Sequence, residues 1–174
     1  MTSLSTTLVL GGARSGKSTF AERMIAESGL AAVYLATATP DDGEMKDRIA
    51  HHRNRRGLDW TTVEEPLALI EVLTQVSRPG RAVLVDCLTL WLSNLMLAER
   101  DVDGEAKRLV QFLGVAASPV VLVSNEVGLG IVPESRLGRD FRDAQGRLNQ
   151  MVASSVPNVV FVVAGLPLWL KRSS

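Results

Sequence analysis

The feature that most constrains this chain is a glycine-rich loop near its start. The loop fits the pattern G-x-x-x-x-G-K-[ST] with the residues Gly11, Gly12, Ala13, Arg14, Ser15, Gly16, Lys17 and Ser18. An apolar run at 8–10 precedes it, as expected of a buried strand, and a helical pattern at 19–28 follows it. Strand, loop and helix in this order predict a phosphate-binding loop.

The residue types explain how such a loop binds phosphate. Glycines let the backbone turn tightly enough to point several N–H groups at phosphate oxygens, and the following helix adds its positive N-terminal end. We expect Lys17 to reach the β- and γ-phosphates of a nucleotide and the Ser18 hydroxyl to hold Mg²⁺.

Size and composition narrow the class of protein. We expect one catalytic domain over 1–174, because a chain of 174 residues buries a sufficient core alone. Lys plus Arg and Asp plus Glu both number 19, so no overall positive field favours nucleic acid. The single cysteine, Cys87, suits a reducing cytoplasm, and no apolar run is long enough to span a membrane.

Strand and helix patterns alternate along the chain, which predicts an α/β fold with a mostly parallel sheet and helices on both faces. The predicted strands lie at 8–10, 32–36, 60–63, 82–86, 120–124 and 159–164. The predicted helices lie at 19–28, 44–56, 66–76, 89–96, 105–116 and 133–156.

Polar residues follow several of these strands, at the edge where open α/β sheets bind ligands. Thr37, Ala38 and Thr39 follow the second strand, and Asp86 ends an apolar strand in the manner of a Walker B element. Asp86 is predicted to orient or hold Mg²⁺; the alternative is a helix N-cap.

Two further polar segments allow two interpretations each. The glycine-rich segment 125–130 is predicted to be a substrate or nucleotide loop, although an ordinary turn also fits. Four arginines in the predicted last helix alternate with acidic residues, which is typical of a solvated face, yet their spacing also allows contact with an anion: Arg136, Arg139, Arg142 and Arg147.

The predicted helix at 44–56 carries two histidines followed by arginines. His52 shares a face with Met45 and Ile49, whereas His51 points about 100° away. A neutral imidazole can attack the α-phosphate of a triphosphate while arginines neutralise the developing charge. A solvated basic face is the alternative interpretation.

Several blocks together resemble one enzyme family. They are the phosphate-binding loop, the block Arg48-Ile49-Ala50-His51-His52-Arg53, then Trp60 and Glu64, and the block from Ser124 to Glu134. In this order, over nearly the whole chain, they are similar to the bifunctional adenosylcobinamide kinase/adenosylcobinamide-phosphate guanylyltransferases of cobalamin biosynthesis.

The resemblance implies a RecA-like P-loop NTPase fold, a homotrimer and two reactions. In the first, ATP or GTP phosphorylates a hydroxyl of adenosylcobinamide. In the second, GMP passes from GTP through a guanylylated histidine to adenosylcobinamide phosphate, giving adenosylcobinamide-GDP and pyrophosphate.

The resemblance also assigns residues. His52 matches the histidine that carries GMP, with His51 as the adjacent alternative. Other positions match regions that contact GTP in the family: Thr37, Ala38, Thr39, Arg53, Asn54, Arg55, Arg56, Glu64 and Asp86. Some relatives have Glu at the position of Asp86, which leaves direct or water-mediated contact with Mg²⁺ open. Glu126 and its neighbouring glycines are candidates for corrinoid contact.

Two other functions are compatible with a phosphate-binding loop and a magnesium carboxylate. One is a small-molecule kinase without a covalent histidine, which would transfer the γ-phosphate but never the α-phosphate. The other is a RecA-like regulatory ATPase or nucleic-acid-binding module, which the balanced charge disfavours.

Overall fold

The computed structural model describes residues 4–39 and 60–173. Within these residues the chain forms seven strands and five helices. The strands are β1 (Thr7–Gly11), β2 (Ala31–Ala36), β3 (Trp60–Glu64), β4 (Arg81–Asp86), β5 (Val120–Asn125), β6 (Asn158–Val163) and β7 (Leu166–Lys171). The helices are α1 (Lys17–Ala26), α2 (Leu69–Val76), α3 (Leu88–Leu97), α4 (Val102–Leu113) and α5 (Arg136–Ser155).

The described strands form one sheet in the order β3-β2-β4-β5-β1-β6-β7. All neighbouring pairs are parallel except β6 and β7. The prediction of a mostly parallel α/β sheet is therefore confirmed. The helix predicted at 44–56 lies outside the described residues.

Alternating residues of the central strands face two apolar layers, so the sheet is covered on both sides. Leu8, Val83 and Leu122 pack into the layer that contains α2, α3, α4 and α5. The intervening positions, such as Val9 and Leu84, pack against α1. Strands buried on both faces consist of continuous apolar residues, which is why the sequence pattern identified them.

The last strand, β7, was not predicted, because the expected last strand was followed by Gly165 and Pro167, two residues that usually interrupt strands. Proline is tolerated here because β7 is an edge strand. Ala164 and Gly165 both have positive φ, 51° and 78°, as a two-residue hairpin turn of type I′ requires. The Trp169 ring then packs edge-on against Phe20 of α1.

The helices α1 to α5 begin one to three residues away from their predicted starts. The helix predicted from 133 begins at Arg136, because the Ser135 side chain caps it by accepting a hydrogen bond from the Gly138 amide. Asp86, for which a capping role was the alternative, is the last residue of β4, and the N-cap of α3 is Cys87. None of the helices in the described ranges is long and apolar enough to cross a membrane.

Candidate functional site

The strand register brings most of the predicted site residues to one edge of the sheet. Gly11 pairs with Asn125, while Ala36 pairs with both Glu64 and Asp86. All five residues end their strands, so the segments that follow them leave the sheet on the same side. Because β5 lies between β1 and β4, the phosphate-binding loop and Asp86 flank the end of β5.

The glycine-rich loop turns sharply between β1 and α1. Arg14 and Gly16 have positive φ, 55° and 93°, and the Ser15 amide donates to the Gly12 carbonyl at 3.3 Å. Gly16 is the N-cap of α1, which begins at Lys17. The first N–H groups of the helix therefore face the loop, where an anion can accept their hydrogen bonds.

The turn between β6 and β7 contacts this loop and holds it in place. The Gly165 amide donates to the Ser15 carbonyl at 2.8 Å. A Cβ atom at Gly11 would lie 2.5 Å from the Val162 carbonyl, and one at Gly16 would lie 3.1 Å from Gly165 Cα. Glycine is thus required at Gly11 by the closeness of the hairpin backbone, and at Gly16 by its positive φ together with a tight contact.

Two side chains of the loop are buried in a way that fits phosphate binding. Lys17 is buried, and its ammonium donates to the Gly12 carbonyl at 3.0 Å, across the loop. The Ser15 hydroxyl is buried and has no hydrogen-bond partner among the described residues. A buried hydroxyl in a loop of this shape is a donor suited to a phosphate oxygen.

Asp86 is held by residues from the neighbouring strand. Tyr34 of β2 donates its hydroxyl proton to Asp86 Oδ2 at 3.0 Å. The Thr37 amide donates to the Asp86 carbonyl at 3.2 Å. The Thr37 hydroxyl donates to the Cys87 carbonyl at 2.7 Å and accepts from the Cys87 amide at 2.9 Å. Burial, followed by the charge of Asp86, raises the pKa of the Cys87 thiol to about 11.

The end of β5 is held by hydrogen bonds with two helices of the same layer, α3 and α5. The Asn125 amide donates to the Thr89 hydroxyl at 2.8 Å, and the Asn149 side chain of α5 donates to the Asn125 carbonyl at 3.1 Å. Asn149 itself belongs to a buried network with Ser124 and Gln145. Because the amide of Glu126 donates to the Gly11 carbonyl at 3.1 Å, this brace extends to the phosphate-binding loop.

The residues at the edge have the donor chemistry that Mg²⁺ prefers. The Ser18 hydroxyl and the Asp86 carboxylate are oxygen ligands; Ser18 lies in the first turn of α1, directly after the phosphate-binding loop, and Asp86 ends β4. No group of three or more His, Cys, Asp or Glu side chains arranged to hold a metal occurs among the described residues. Ser18 and Asp86 therefore suit a cation that takes its other ligands from phosphate and water.

Some of the remaining predicted site residues lie at this edge of the sheet, and the others lie outside the described residues. Thr37, Ala38, Thr39 and Glu64 lie at the same edge as the loop and Asp86, although the Thr37 hydroxyl is engaged by Cys87. The predicted His52 and its alternative His51, with Arg53, Asn54, Arg55 and Arg56, lie outside the described residues.

The contacts of Tyr34, Thr89, Asn149 and Gly165 were not predicted. For Tyr34 the contact follows from the register: it pairs with Leu84, two positions before Asp86 on the same face, which the sequence alone does not give.

The segment after β5 differs from the rest of the edge because it is exposed and apolar. Leu129 is 84% exposed and Ile131 is 97% exposed, and Val132 and Leu137 are exposed nearby. The Glu126 carboxylate accepts a hydrogen bond from the Gly128 amide of its own loop. Adjacent exposed apolar residues beside a polar site are typical of a surface that contacts a ligand or partner.

Comparison with known proteins gives a consistent family. Residues 7–170 match the family described as "Cobinamide kinase / cobinamide phosphate guanyltransferase". The chain is 54% identical to the bifunctional adenosylcobalamin biosynthesis protein CobP of Pseudomonas aeruginosa, covering 94% of this chain and 96% of the relative. It is 40% identical to the bifunctional adenosylcobalamin biosynthesis protein CobU of Escherichia coli, covering 94% of this chain and 98% of the relative.

Solved structures share the fold at low sequence identity. The flagellar accessory protein FlaH from Methanocaldococcus jannaschii has a TM-score of 0.55 at 12% identity, over 97% of this chain and 79% of that chain. The RadB recombinase has a TM-score of 0.52 at 16% identity, over 90% of this chain and 73% of that chain. These likenesses confirm the predicted RecA-like P-loop NTPase fold. The family match and the two relatives show that this chain belongs to the cobinamide kinase / cobinamide phosphate guanyltransferase family of enzymes.

Proposed function

We propose that this protein catalyses two successive steps in assembling the nucleotide loop of cobalamin. It phosphorylates adenosylcobinamide with ATP or GTP, and it then transfers GMP from GTP to adenosylcobinamide phosphate. The observation that carries the proposal is the position of the phosphate-binding loop and Asp86 on the two sides of the β5 end, in a chain that belongs to this family. We further propose that residues 1–174 act as one catalytic domain.

The first step is a phosphoryl transfer. The hydroxyl oxygen of adenosylcobinamide attacks the γ-phosphorus, the bond from that phosphorus to the β–γ bridging oxygen breaks, and the nucleoside diphosphate leaves. The hydroxyl proton passes to solvent or to the product phosphate. Lys17 and the loop amides offset the charge on the phosphate oxygens, which is the main contribution a protein makes to this reaction.

The second step transfers a nucleotide through a covalent intermediate. A neutral imidazole nitrogen of His52 attacks the α-phosphorus of GTP, an N–P bond forms, and pyrophosphate leaves. A phosphate oxygen of adenosylcobinamide phosphate then attacks the same phosphorus, so that a P–O–P bond replaces the N–P bond. Arg53, Arg55 and Arg56 follow His52 in the sequence and would neutralise the phosphates, and the uncharged Asn54 among them would contact GTP.

Ser18 and Asp86 are the residues that would hold Mg²⁺, because each provides an oxygen atom, the ligand type that Mg²⁺ prefers. When bound, the ion neutralises charge on the β- and γ-phosphates. Thr37, Ala38, Thr39 and Glu64 would line the nucleotide on the side of β2 and β3. The hydroxyl, amide and carbonyl of Thr37 already bond to Cys87, Asp86 and Asn94, so we assign Thr37 a packing contact there.

Assembly and location are part of the same proposal. We propose a homotrimer, supported by the exposed apolar face of the β6–β7 hairpin, which consists of Val163, Leu166, Leu168 and Leu170. A contiguous exposed apolar face is typical of a protein–protein interface. We propose a cytoplasmic location, in keeping with a single cysteine that is buried and unpaired.

The proposal is tested by incubating the protein with Mg²⁺ and GTP labelled at the α- or the γ-phosphate, followed by quenching in alkaline denaturant. We expect protein-bound label from α-labelled GTP alone, stable to base and labile to acid, as a phosphoramidate is. His52→Ala should abolish it, while His51→Ala is the matched control and should retain it. Absence of α-label on a protein that binds GTP would contradict guanylyl transfer.

A further inference from the structure

The side chain of Tyr34 points to a role that the sequence did not indicate. It starts from the middle of β2 and reaches the neighbouring strand, where its hydroxyl donates to Asp86 Oδ2 at 3.0 Å. Tyr34 pairs with Leu84, and Asp86 lies two residues further along β4 on the same face of the sheet. The phenol is therefore long enough to bridge the diagonal between the two strands.

The ring of Tyr34 is fixed by its surroundings. The residue is only 6% exposed, and it belongs to the apolar layer beneath α1. Its ring packs edge-on against Trp60 at the start of β3, with ring centres 6.4 Å apart. A packed aromatic ring holds its hydroxyl in one place, so the position of the donor is set independently of the carboxylate.

A second residue of the same chain segment fixes the backbone at this point. Thr37 contacts the Asp86 carbonyl through its amide, and it contacts both polar backbone groups of Cys87 through its hydroxyl. The main chain at Asp86 is thus held by Thr37 and the side chain by Tyr34. A hydrogen bond from a neutral donor to a carboxylate is one of the stronger kinds in proteins.

We propose that Tyr34 is a positioning residue for the Asp86 carboxylate. By binding Oδ2, it sets the rotation of the carboxylate and directs the other oxygen, Oδ1, toward the cation that accompanies the nucleotide. This inference rests on the proposed role of Asp86 at the Mg²⁺ site. Tyr34 itself contacts neither nucleotide nor substrate in this mechanism.

The first test is the Mg²⁺ dependence of binding a fluorescent GTP analogue to Tyr34→Phe, which keeps the ring and removes the hydroxyl. We expect the Mg²⁺ concentration for half-maximal binding to rise by about three- to tenfold, with metal-free binding unchanged, since one charge-assisted hydrogen bond is lost. Trp60→Phe is the control, because it alters the packing of the ring and keeps the hydroxyl. An unchanged Mg²⁺ dependence in Tyr34→Phe would overturn the proposal.

The second test uses the fact that Tyr34 is the only tyrosine in the sequence. Tyrosine labelled with ¹³C at the ring carbon that bears the hydroxyl therefore gives a single NMR resonance. We expect that resonance to shift when Asp86 is changed to Asn, and to shift again when Mg²⁺ is added to the GTP complex of the unaltered protein. A resonance insensitive to both changes would show that the phenol does not report on the carboxylate.

The variant Asp86→Asn distinguishes a failure of the role proposed for Tyr34 from a failure of the metal role proposed for Asp86. If Asp86→Asn leaves the Mg²⁺ dependence of GTP binding unchanged, the metal role of Asp86 is wrong and the inference is wrong with it. If Asp86→Asn raises the required Mg²⁺ concentration and Tyr34→Phe does not, Asp86 acts at the metal without help from Tyr34.

Discussion

The segments that follow β4 and β5 leave the sheet side by side, but they are built differently. Asp86 and Cys87 are held by Tyr34 and Thr37, and the thiol of Cys87 is buried. After Asn125, the chain becomes an exposed loop with apolar side chains at Leu129 and Ile131. Groups that act on phosphates need fixed positions, whereas an exposed apolar loop is suited to contact with a large second molecule.

The largest effect is expected in the rigid part of the edge, at Lys17, the buried cation of the phosphate-binding loop. Lys17→Ala should lower kcat for both reactions by about 10²- to 10³-fold, because it removes a fixed donor to the phosphates. Lys107→Ala is the control, since Lys107 is exposed on α4. Steady-state kinetics with GTP measure the effect, and a change below about tenfold would contradict the assignment.

A smaller effect is expected at the buried brace behind β5. Asn149→Leu keeps the volume of the side chain but removes the acceptor of the Ser124 hydroxyl and the donor to the Asn125 carbonyl, while the hydrogen bond from Gln145 to Ser124 remains. We expect the free energy of unfolding in urea to fall by about 2–3 kcal/mol. Gln150→Leu, on the exposed side of α5, should change it by less than about 0.5 kcal/mol. Equal effects of the two substitutions would show that the network adds nothing.

The reactivity of the Cys87 thiol measures how far a reagent can reach the end of β4. With its pKa raised to about 11, the thiol remains protonated at neutral pH, and burial blocks access as well. We expect a disulfide reagent to modify the folded protein at least about 10²-fold more slowly than the unfolded protein. Stability should also fall as pH rises through the interval from 9.0 to about 11, because the unfolded thiol ionises first. Rapid modification of the folded protein would contradict a closed β4 end.

Gly165→Ala probes the hairpin beneath the phosphate-binding loop, and Gly80→Ala is a closely matched control. Both glycines have similar positive φ, 78° and 83°, and an added Cβ meets no atom at either position. We expect both variants to lose about 1 kcal/mol of stability. Gly165→Ala alone should weaken GTP binding by about threefold, because strain at this positive φ displaces the amide that donates to the Ser15 carbonyl. Equal GTP affinity in the two variants would show that the hairpin does not affect how the phosphate-binding loop binds GTP.

The smallest effect on nucleotide binding is expected in the exposed loop. Glu126→Gln and Ile131→Ser should leave GTP affinity within about twofold of the unaltered protein, because the Glu126 carboxylate accepts from its own loop and Ile131 is 97% exposed. If either change weakened GTP binding strongly, the contrast between the two strand ends would be wrong. Calorimetric titration with GTP is the measurement.

The sequence predicted the features that depend on consecutive residues. The phosphate-binding loop, the apolar strands and Asp86 at the end of β4 are each encoded within a few positions. The contacts of Tyr34 with Asp86 and of Asn149 with Asn125 join residues 52 and 24 positions apart, so they depend on the strand order and on helix packing. A pattern of local periodicity contains no information about that order. The strand β7 was missed for a related reason, since its edge position is what permits Pro167.

The hydrogen bond between Gly165 and Ser15 joins a turn late in the chain to a loop near its start. During synthesis from the N-terminus, Ser15 leaves the ribosome long before β6 and the following turn exist, and β1 needs both β5 and β6 as neighbours. The nucleotide site is therefore among the last parts of the molecule to be completed. A growing chain that has not reached Gly165 should have little affinity for GTP, however much of its sheet has formed.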